Sequence, residues 1–301
     1  MIELPRTGLG TAPLGGLFAA VSEETAQETF ELAWERGVRF FDTAPLYGLG
    51  LSEQRLGRFL AAKPRDEFVL ATKVGRLLRA DAPPDPREAH WAGVPPLNPL
   101  FDFSYEGVLR SVDESLARLG LDRIDVLHVH DPDDHYDEAL SGAYRALDRL
   151  RGEGTIRAVG AGMNQVEMLT RFAREADFDC FLVAGRWTLL DRTALPELLP
   201  LCAERGIAVI AAGVFNSGIL AGGTTFDYRP APPELLARAA ELDVACARYD
   251  VPLAAAALQF PLRHPAVASV LLGPRSPAQL AQSLDLLEFP VPAGLWAELS
   301  A

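Results

Sequence analysis

Cysteine is scarce in this chain, and the three present, Cys180, Cys202 and Cys246, are far apart, odd in number and set inside apolar periodic segments. Disulfide frameworks and metal knuckles need cysteines paired at short spacing, so both are disfavoured and the three read as small core residues. Positive charge is also in deficit: 28 basic against 41 acidic residues leave a formal charge of -13. That balance repels nucleic acid and anionic membrane surfaces, and neither is expected as a partner. The start of the chain lacks the basic segment and apolar run of a signal peptide, and no stretch of about 18 apolar residues is available to span a membrane. The expected location is the cytoplasm. No linker-like or low-complexity segment interrupts the sequence, so a single domain over 1–301 is expected.

With 49% hydrophobic residues the chain can bury a full core, and the apolar residues fall into short runs that end on polar side chains. Val38-Arg39-Phe40-Phe41 is β-branched and aromatic, is bounded by Gly37, Pro45 and Gly48, and ends on Asp42, with Tyr47 five residues later. Phe68 to Thr72 ends on Lys73, and Ile124 to Val129 ends on His130. Three successive strands would therefore deliver Asp, Lys and His to the C-terminal end of a parallel sheet, where α/β proteins place their chemistry.

Between the strands lie helix signatures. Ser22 caps a helix that opens on Glu23 and Glu24, Gly37 ends it, and Ser52 begins another running to about Ala61. Ser104 caps a longer helix that ends at Gly120. Further strands read at 8–14, 155–160, 180–184, 207–212 and 267–272, and Pro196, Pro252 and Pro277 stand where a first helical turn tolerates proline. About eight strands alternating with helices predict a closed parallel (β/α)8 barrel. Two connections, 75–103 and 213–233, are long. Their aromatic residues Trp91, Phe101, Phe215, Phe226 and Tyr228 are expected either to form a substrate wall or to pack the loops.

A phenol exchanges protons near neutrality only if a nearby cation favours the phenolate, and Lys73 can supply that charge. Asp42 can hold Lys73, and His130 can hydrogen-bond the substrate oxygen. Such a group acts as a general acid or base without a strong nucleophile, suited to moving a proton on oxygen while hydride passes between carbon and a nicotinamide. In an acidic chain the pyrophosphate needs backbone amides, and Gly273-Pro274-Arg275-Ser276-Pro277, following the eighth strand and opening the last helix, is the candidate. Gly8-x-Gly10 lacks the third glycine and the later acid of a Rossmann fingerprint. His128 and His130 share a strand face, so a metal-dependent hydrolase is a competing reading, weakened by the lack of further histidines.

The run Phe41-Asp42-Thr43-Ala44-x-x-Tyr47-Gly48-x-Gly50-x-Ser52-Glu53-x-x-Leu56-Gly57 resembles the signature of the aldo-keto reductases, with Lys73 and His130 falling where that family's tetrad requires. The resemblance extends along nearly the whole chain. It is strongest to the aldose 1-dehydrogenase and pyridoxal 4-dehydrogenase branch, through Asp102-x-Ser104, His130-Asp131-Pro132-Asp133, Ala184-Gly185-Arg186-Trp187-Thr188-Leu189-Leu190 and Phe215-Asn216-Ser217-Gly218. It implies a barrel that binds NADP or NAD, NADP slightly favoured, without a metal, and acts on a sugar or small aldehyde, most simply by oxidising an L-fucose or D-threo-aldose type sugar to its lactone. Carried over by position, Asp42, Tyr47, Lys73 and His130 are the catalytic set. Thr11, Asn164, Gly273, Arg275, Ser276, Gln279, Gln282 and Ser283 are the implied cofactor contacts, and Trp91, Asp131, Trp187 and Phe215 face the substrate.

Some positions depart from the family pattern. His130-Asp131-Pro132 replaces the more usual His-Trp-Pro, which removes an aromatic wall and admits acids that can bind hydroxyls. Met163 stands where a serine is common, and Leu182 where a glutamine is. The tyrosine that stacks on the nicotinamide has no clear match near Ala212, which leaves Phe215 or Trp187 to take its place. The alternatives to an aldose dehydrogenase are a general NADPH-dependent carbonyl reductase, a pyridoxal 4-dehydrogenase and a non-catalytic nucleotide-sensing subunit. The sequence leaves monomer and homo-oligomer open.

Overall fold

The computed structural model describes residues 3–300; Met1, Ile2 and Ala301, included in the expected extent of 1–301, lie outside the described residues. β1 (Thr7–Gly10) is shorter than the strand expected at 8–14, because Pro13 has no N–H for the ladder and opens a 3-10 turn, Pro13–Gly15. α1 (Glu23–Glu35) starts as the sequence predicts: the Ser22 hydroxyl accepts a hydrogen bond from the Thr25 N–H at 3.1 Å, with two glutamates in the first turn. Gly37, at φ 83°, then turns the chain into β2 (Phe40–Asp42), a backbone conformation that a side chain would strain.

α2 (Leu51–Leu60) and β3 (Val69–Val74) follow. The long, proline-rich connection over 75–103 contains an antiparallel hairpin, β4 (Arg76–Arg79) with β5 (Asn98–Phe101). α3 (Tyr105–Leu119) is capped by Ser104 and ended by Gly120 at φ 63°, as expected. β6 (Val126–His130) leads into α4 (Tyr136–Glu138), a π-helical stretch (Ala139–Tyr144) and α5 (Arg145–Gly152). Next come β7 (Ala158–Met163), α6 (Glu167–Glu175), β8 (Cys180–Ala184), α7 (Leu198–Arg205) and β9 (Ala208–Ala212). Pro196 stands in the turn before α7 rather than in its first turn, while Pro252 and Pro277 stand at helix starts as expected. A small hairpin, β10 (Thr225–Phe226) with β11 (Arg229–Pro230), precedes α8 (Pro233–Ala247) and α9 (Leu253–Gln259). β12 (Val267–Leu272), α10 (Pro277–Leu287) and α11 (Ala293–Ser300) complete the described chain.

Eight strands pair in parallel and close in the order β1-β12-β9-β8-β7-β6-β3-β2, the expected (β/α)8 barrel. Inside it Phe40, Ala71, Val126, Cys180, Ile210 and Leu271 form a packed plug, so the barrel is a core and not a pore. Phe40 is fully buried there, and truncating it to alanine would cost about 3–5 kcal/mol. A second apolar layer, including Phe30, Leu56, Phe172 and Leu199, joins the strands to the surrounding helices. α2 and α3 touch backbone to backbone: a Cβ on Gly57 would fall 1.9 Å from the Leu119 carbonyl oxygen. Among the described residues no helix is long and apolar enough to cross a membrane.

Candidate active site

β2, β3 and β6 are neighbours in the barrel and bring Asp42, Lys73 and His130 to one rim. Lys73 Nζ donates to Asp42 Oδ1 and Oδ2 at 2.8 and 2.7 Å and to the Thr43 carbonyl at 2.9 Å, which engages all three of its N–H groups. Both side chains are almost wholly buried. Burial raises Asp42 above the usual carboxylate value and lowers Lys73 below the usual amine value, while their mutual attraction opposes both shifts.

Tyr47 completes the group from the loop after β2. Its ring lies 4.6 Å from Lys73 Nζ and meets the His130 ring edge-on at 5.8 Å, with Trp91 6.0 Å away on another side. Among the described residues its hydroxyl has no hydrogen-bond partner. From the sequence, Lys73 is expected to pull the phenol toward ionisation. In the structure burial instead pushes Tyr47 well above its ordinary value, the carboxylates of Asp42 and Asp131 add to this, and Arg76 opposes it. The physical reason is that loss of water around the phenolate outweighs the nearby cations, and Asp42, which pairs with Lys73, adds a negative charge of its own. His130 is held neutral: burial lowers it well below the usual imidazole value, and the cations Arg76 and Lys73 add to the shift.

His128 lies deeper in the barrel and is also neutral, lowered to about 3 by burial and by Lys73. Its ring occupies the space over Gly160, where a Cβ would fall 2.2 Å from Nδ1, and among the described residues neither ring nitrogen has a hydrogen-bond partner. Among the described residues no three His, Cys, Asp or Glu side chains are placed to share a metal ion.

Arg76 at the base of the β4–β5 hairpin was not singled out from the sequence. Its Nη1 donates to the His130 carbonyl at 2.8 Å, its Nη2 lies 3.8 Å from Asp131 Oδ2, and its guanidinium sits 4.9 Å from the Phe101 ring centre. The available signal was Lys73-Val74-Gly75-Arg76: a glycine at φ 105° one residue beyond the strand turns the following cation back over the rim. Asp131 stands beside it with φ 40°, its Oδ2 3.4 Å from His130 Nε2, and burial raises its carboxyl to about 6.

Other expected site residues divide. Trp91 is at the mouth, bonded through Nε1 to Glu88. Phe215 opens the 3-10 turn Asn216–Ala221 and packs, half-buried, on the core. Trp187 is buried rather than on the wall: its ring packs tilted against Phe260 at 4.8 Å and its N–H donates to the Pro261 carbonyl. The Thr11 hydroxyl is likewise engaged within the protein, donating to the Asp42 carbonyl and bonding Ser52 Oγ at 2.6 Å, which leaves it no donor for a cofactor. The neighbouring Glu53, fully buried, takes bonds from Thr72 and Arg118 and braces β3 against α3.

Asn164 follows β7 and is exposed, while Arg186 Nε donates to its carbonyl at 2.7 Å. The same guanidinium holds Asp227 at 2.7 Å, tying the β10–β11 hairpin to the Asn164 loop. Tyr228 on that hairpin meets Phe18 from the β1–α1 connection at 6.0 Å, so two loops touch above the rim. At the far side Ser276 caps α10, Gln279 Oε1 accepts from the Arg275 N–H at 2.9 Å, and Gln282 and Ser283 follow one turn on. A Cβ on Gly273 would meet nothing closer than Pro13 at 3.5 Å, which leaves the approach open. Arg275, in an acidic chain, has no carboxylate partner among the described residues and lies only over Phe18, at 5.9 Å. Ser276 and Gln279 already take two of the N–H groups at this helix start, but among the described residues the Arg275 guanidinium beside it has no carboxylate partner, and a cation at a helix N-terminus fits a dinucleotide pyrophosphate or 2′-phosphate.

Comparison with known proteins gives a consistent picture. Residues 6–301 match the Aldo/keto reductase family. The chain is 46% identical to the D-threo-aldose 1-dehydrogenase of a Pseudomonas species, covering 99% of this chain and 94% of that protein. It is also 46% identical to the pyridoxal 4-dehydrogenase of Microbacterium luteolum, covering 97% and 92%. Among solved structures, the holo form of an aldo-keto reductase from Bacillus halodurans is similar with a TM-score of 0.79 at 26% identity, over 99% of this chain and 92% of that one.

Proposed function

Because the chain belongs to the aldo/keto reductase family and is an NAD(P)-dependent oxidoreductase, we propose that it oxidises an aldose of the L-fucose or D-threo type to its lactone, as one domain over 1–301. One observation carries the reading: at the open end of the barrel the Tyr47 phenol, without a hydrogen-bond partner among the described residues, lies against both the Lys73–Asp42 pair and the neutral His130. The three free, buried thiols accord with a reducing, cytoplasmic setting.

Bound nicotinamide would exchange hydride with the reacting carbon. Asn164 would hold its carboxamide, and Gly273, Arg275, Ser276, Gln279, Gln282 and Ser283 its phosphates and adenine end, with Arg275 on a 2′-phosphate in favour of NADP. The protein's part is to place the substrate oxygen and move one proton. Neutral His130 donates a hydrogen bond from Nε2 to that oxygen, and Tyr47 exchanges the proton with it. As a phenol, Tyr47 gives its proton to a carbonyl in the reductive direction. As a phenolate it takes the hydroxyl proton in the oxidative one. Because burial holds the phenol above its ordinary value, the phenolate fraction grows throughout the accessible pH range. Sugar oxidation should therefore rise toward alkaline pH, and carbonyl reduction should not.

The test is reduced-nicotinamide absorbance with purified protein, NAD+ or NADP+, and L-fucose, L-galactose, D-arabinose or pyridoxal. Reduction with an aldose supports the assignment and names the cofactor. The equal identity to a pyridoxal 4-dehydrogenase keeps pyridoxal as a second reading, and turnover of pyridoxal alone would select it. Silence with all four, but oxidation of NADPH by simple aldehydes, would make the protein a general carbonyl reductase.

A further inference from the structure

We propose that Arg76 and Asp131 form a diol-reading pair: Asp131, held by Arg76 beside His130, accepts a hydrogen bond from the hydroxyl on the carbon next to the reacting one. The site would then favour 2-hydroxy carbonyls and their cyclic hemiacetals over deoxy analogues. This rests on the oxidoreductase reading above and specifies its substrate class.

Three observations point the same way. First, the backbone at Asp131 adopts φ 40°, unfavourable for a residue with a Cβ, and its N–H is fixed on the Gly162 carbonyl at 3.0 Å. The strained turn aims the carboxylate at the reacting end of His130, with Oδ2 3.4 Å from Nε2. Second, Arg76 attracts that carboxylate from 3.8 Å, an ion-pair distance, while its hydrogen bond goes to the His130 carbonyl. Among the described residues no group donates a hydrogen bond to the Asp131 carboxylate, and the buried Arg76 Nε also lacks a partner. Third, an ionised carboxylate offers about four acceptor sites, so a quarter-exposed one at a site mouth is a receptor for donors brought by a ligand.

The two oxygens of a vicinal diol lie about one hydrogen-bond length apart. A reacting oxygen placed on His130 Nε2 therefore sets its neighbouring hydroxyl on Asp131. A simple aldehyde placed the same way leaves the carboxylate unmatched. Arg76 acts through Asp131 and is a positioning residue; Asp131 reads the substrate.

The experiment compares kcat/KM for two pairs that differ only in that hydroxyl: L-fucose with 2-deoxy-L-fucose in oxidation, and lactaldehyde with propanal in reduction. The hydroxy member should be favoured roughly ten- to hundredfold in the wild type, the range of one hydrogen bond to a charged group. Asp131→Ala should bring the ratio near unity, and Asp131→Asn, of the same shape, should lower it while keeping the fold. Arg76→Ala should lower the ratio mainly through KM for the hydroxy substrate, and Arg76→Lys should restore part of it. Equal use of both members by the wild type, or a ratio that survives in folded Asp131→Ala, would overturn the inference and leave the oxidoreductase reading standing. Turnover of neither pair would overturn both.

Discussion

On the strand-borne floor of the site, Lys73 spends all three of its N–H groups within the barrel, two on Asp42 and one on the Thr43 carbonyl. On the loop-borne wall a few residues away, Asp131 and Arg76 attract one another without a hydrogen bond, and Asp131, Asp227, Tyr228 and Phe18 all hold positive φ. The floor's cation is saturated without a ligand, whereas the wall's ion pair has polar capacity to spare. That difference suits a division of labour in which the floor handles a proton for any carbonyl and the wall decides which carbonyl arrives.

The comparison breaks most severely at Lys73. Lys73→Met would leave Asp42 buried and unpaired, which should cost about 3–5 kcal/mol of stability by denaturant titration and abolish most turnover. Below the floor, His128 is lowered to about 3, so the unfolded chain binds its proton first as pH falls from the ordinary imidazole value. Stability should therefore decline between about pH 6.5 and 3, and His128→Leu should flatten that decline by a few kcal/mol. A change in neither the slope nor the midpoint would contradict the neutral, buried state of this ring.

On the wall the expected effects are smaller. Arg275→Ala should reduce kcat/KM for NADP roughly tenfold and leave NAD less affected, as expected for one charge-assisted bond to a phosphate. If both cofactors fall equally, Arg275 does not read the 2′-phosphate. The smallest effect is a titration. Asp131 is raised to about 6 by burial, with Asp133 and Glu88 adding and Arg76 and Lys73 opposing, while His130, Tyr47 and Tyr228 also face it. Below that pH it is protonated and loses acceptor strength, so the preference for the hydroxy substrate should fall between pH 7 and 5. A flat ratio over that range would place the titration elsewhere.

The floor was legible in the sequence because each of its groups ends an apolar run of strand length, and the caps at Ser22 and Ser104 because capping is local. What escaped depends on contacts distant in the chain. Arg76 gains its position from a hairpin that pairs it with Phe101. Trp187 reads as a binding aromatic until Pro261, 74 residues on, takes its N–H. Thr11 reads as a cofactor contact until Ser52, 41 residues on, takes its hydroxyl. The shift of Tyr47 away from ionisation escaped for a similar reason, since it comes first from burial, which only the closed barrel and its loops create, and then from Asp42 and Asp131.

The most direct test of the division between floor and wall is kcat/KM of the wild type and Tyr47→Phe on lactaldehyde and propanal, with cofactor binding measured alongside. Removing the transferable proton while keeping the ring should lower both rates by the same factor, about 10²- to 10⁴-fold, leave cofactor affinity in place and preserve the ratio between the two substrates. Near wild-type rates in the variant, or a ratio that changes as much as the rates do, would contradict the assignment of proton transfer to the floor and selection to the wall.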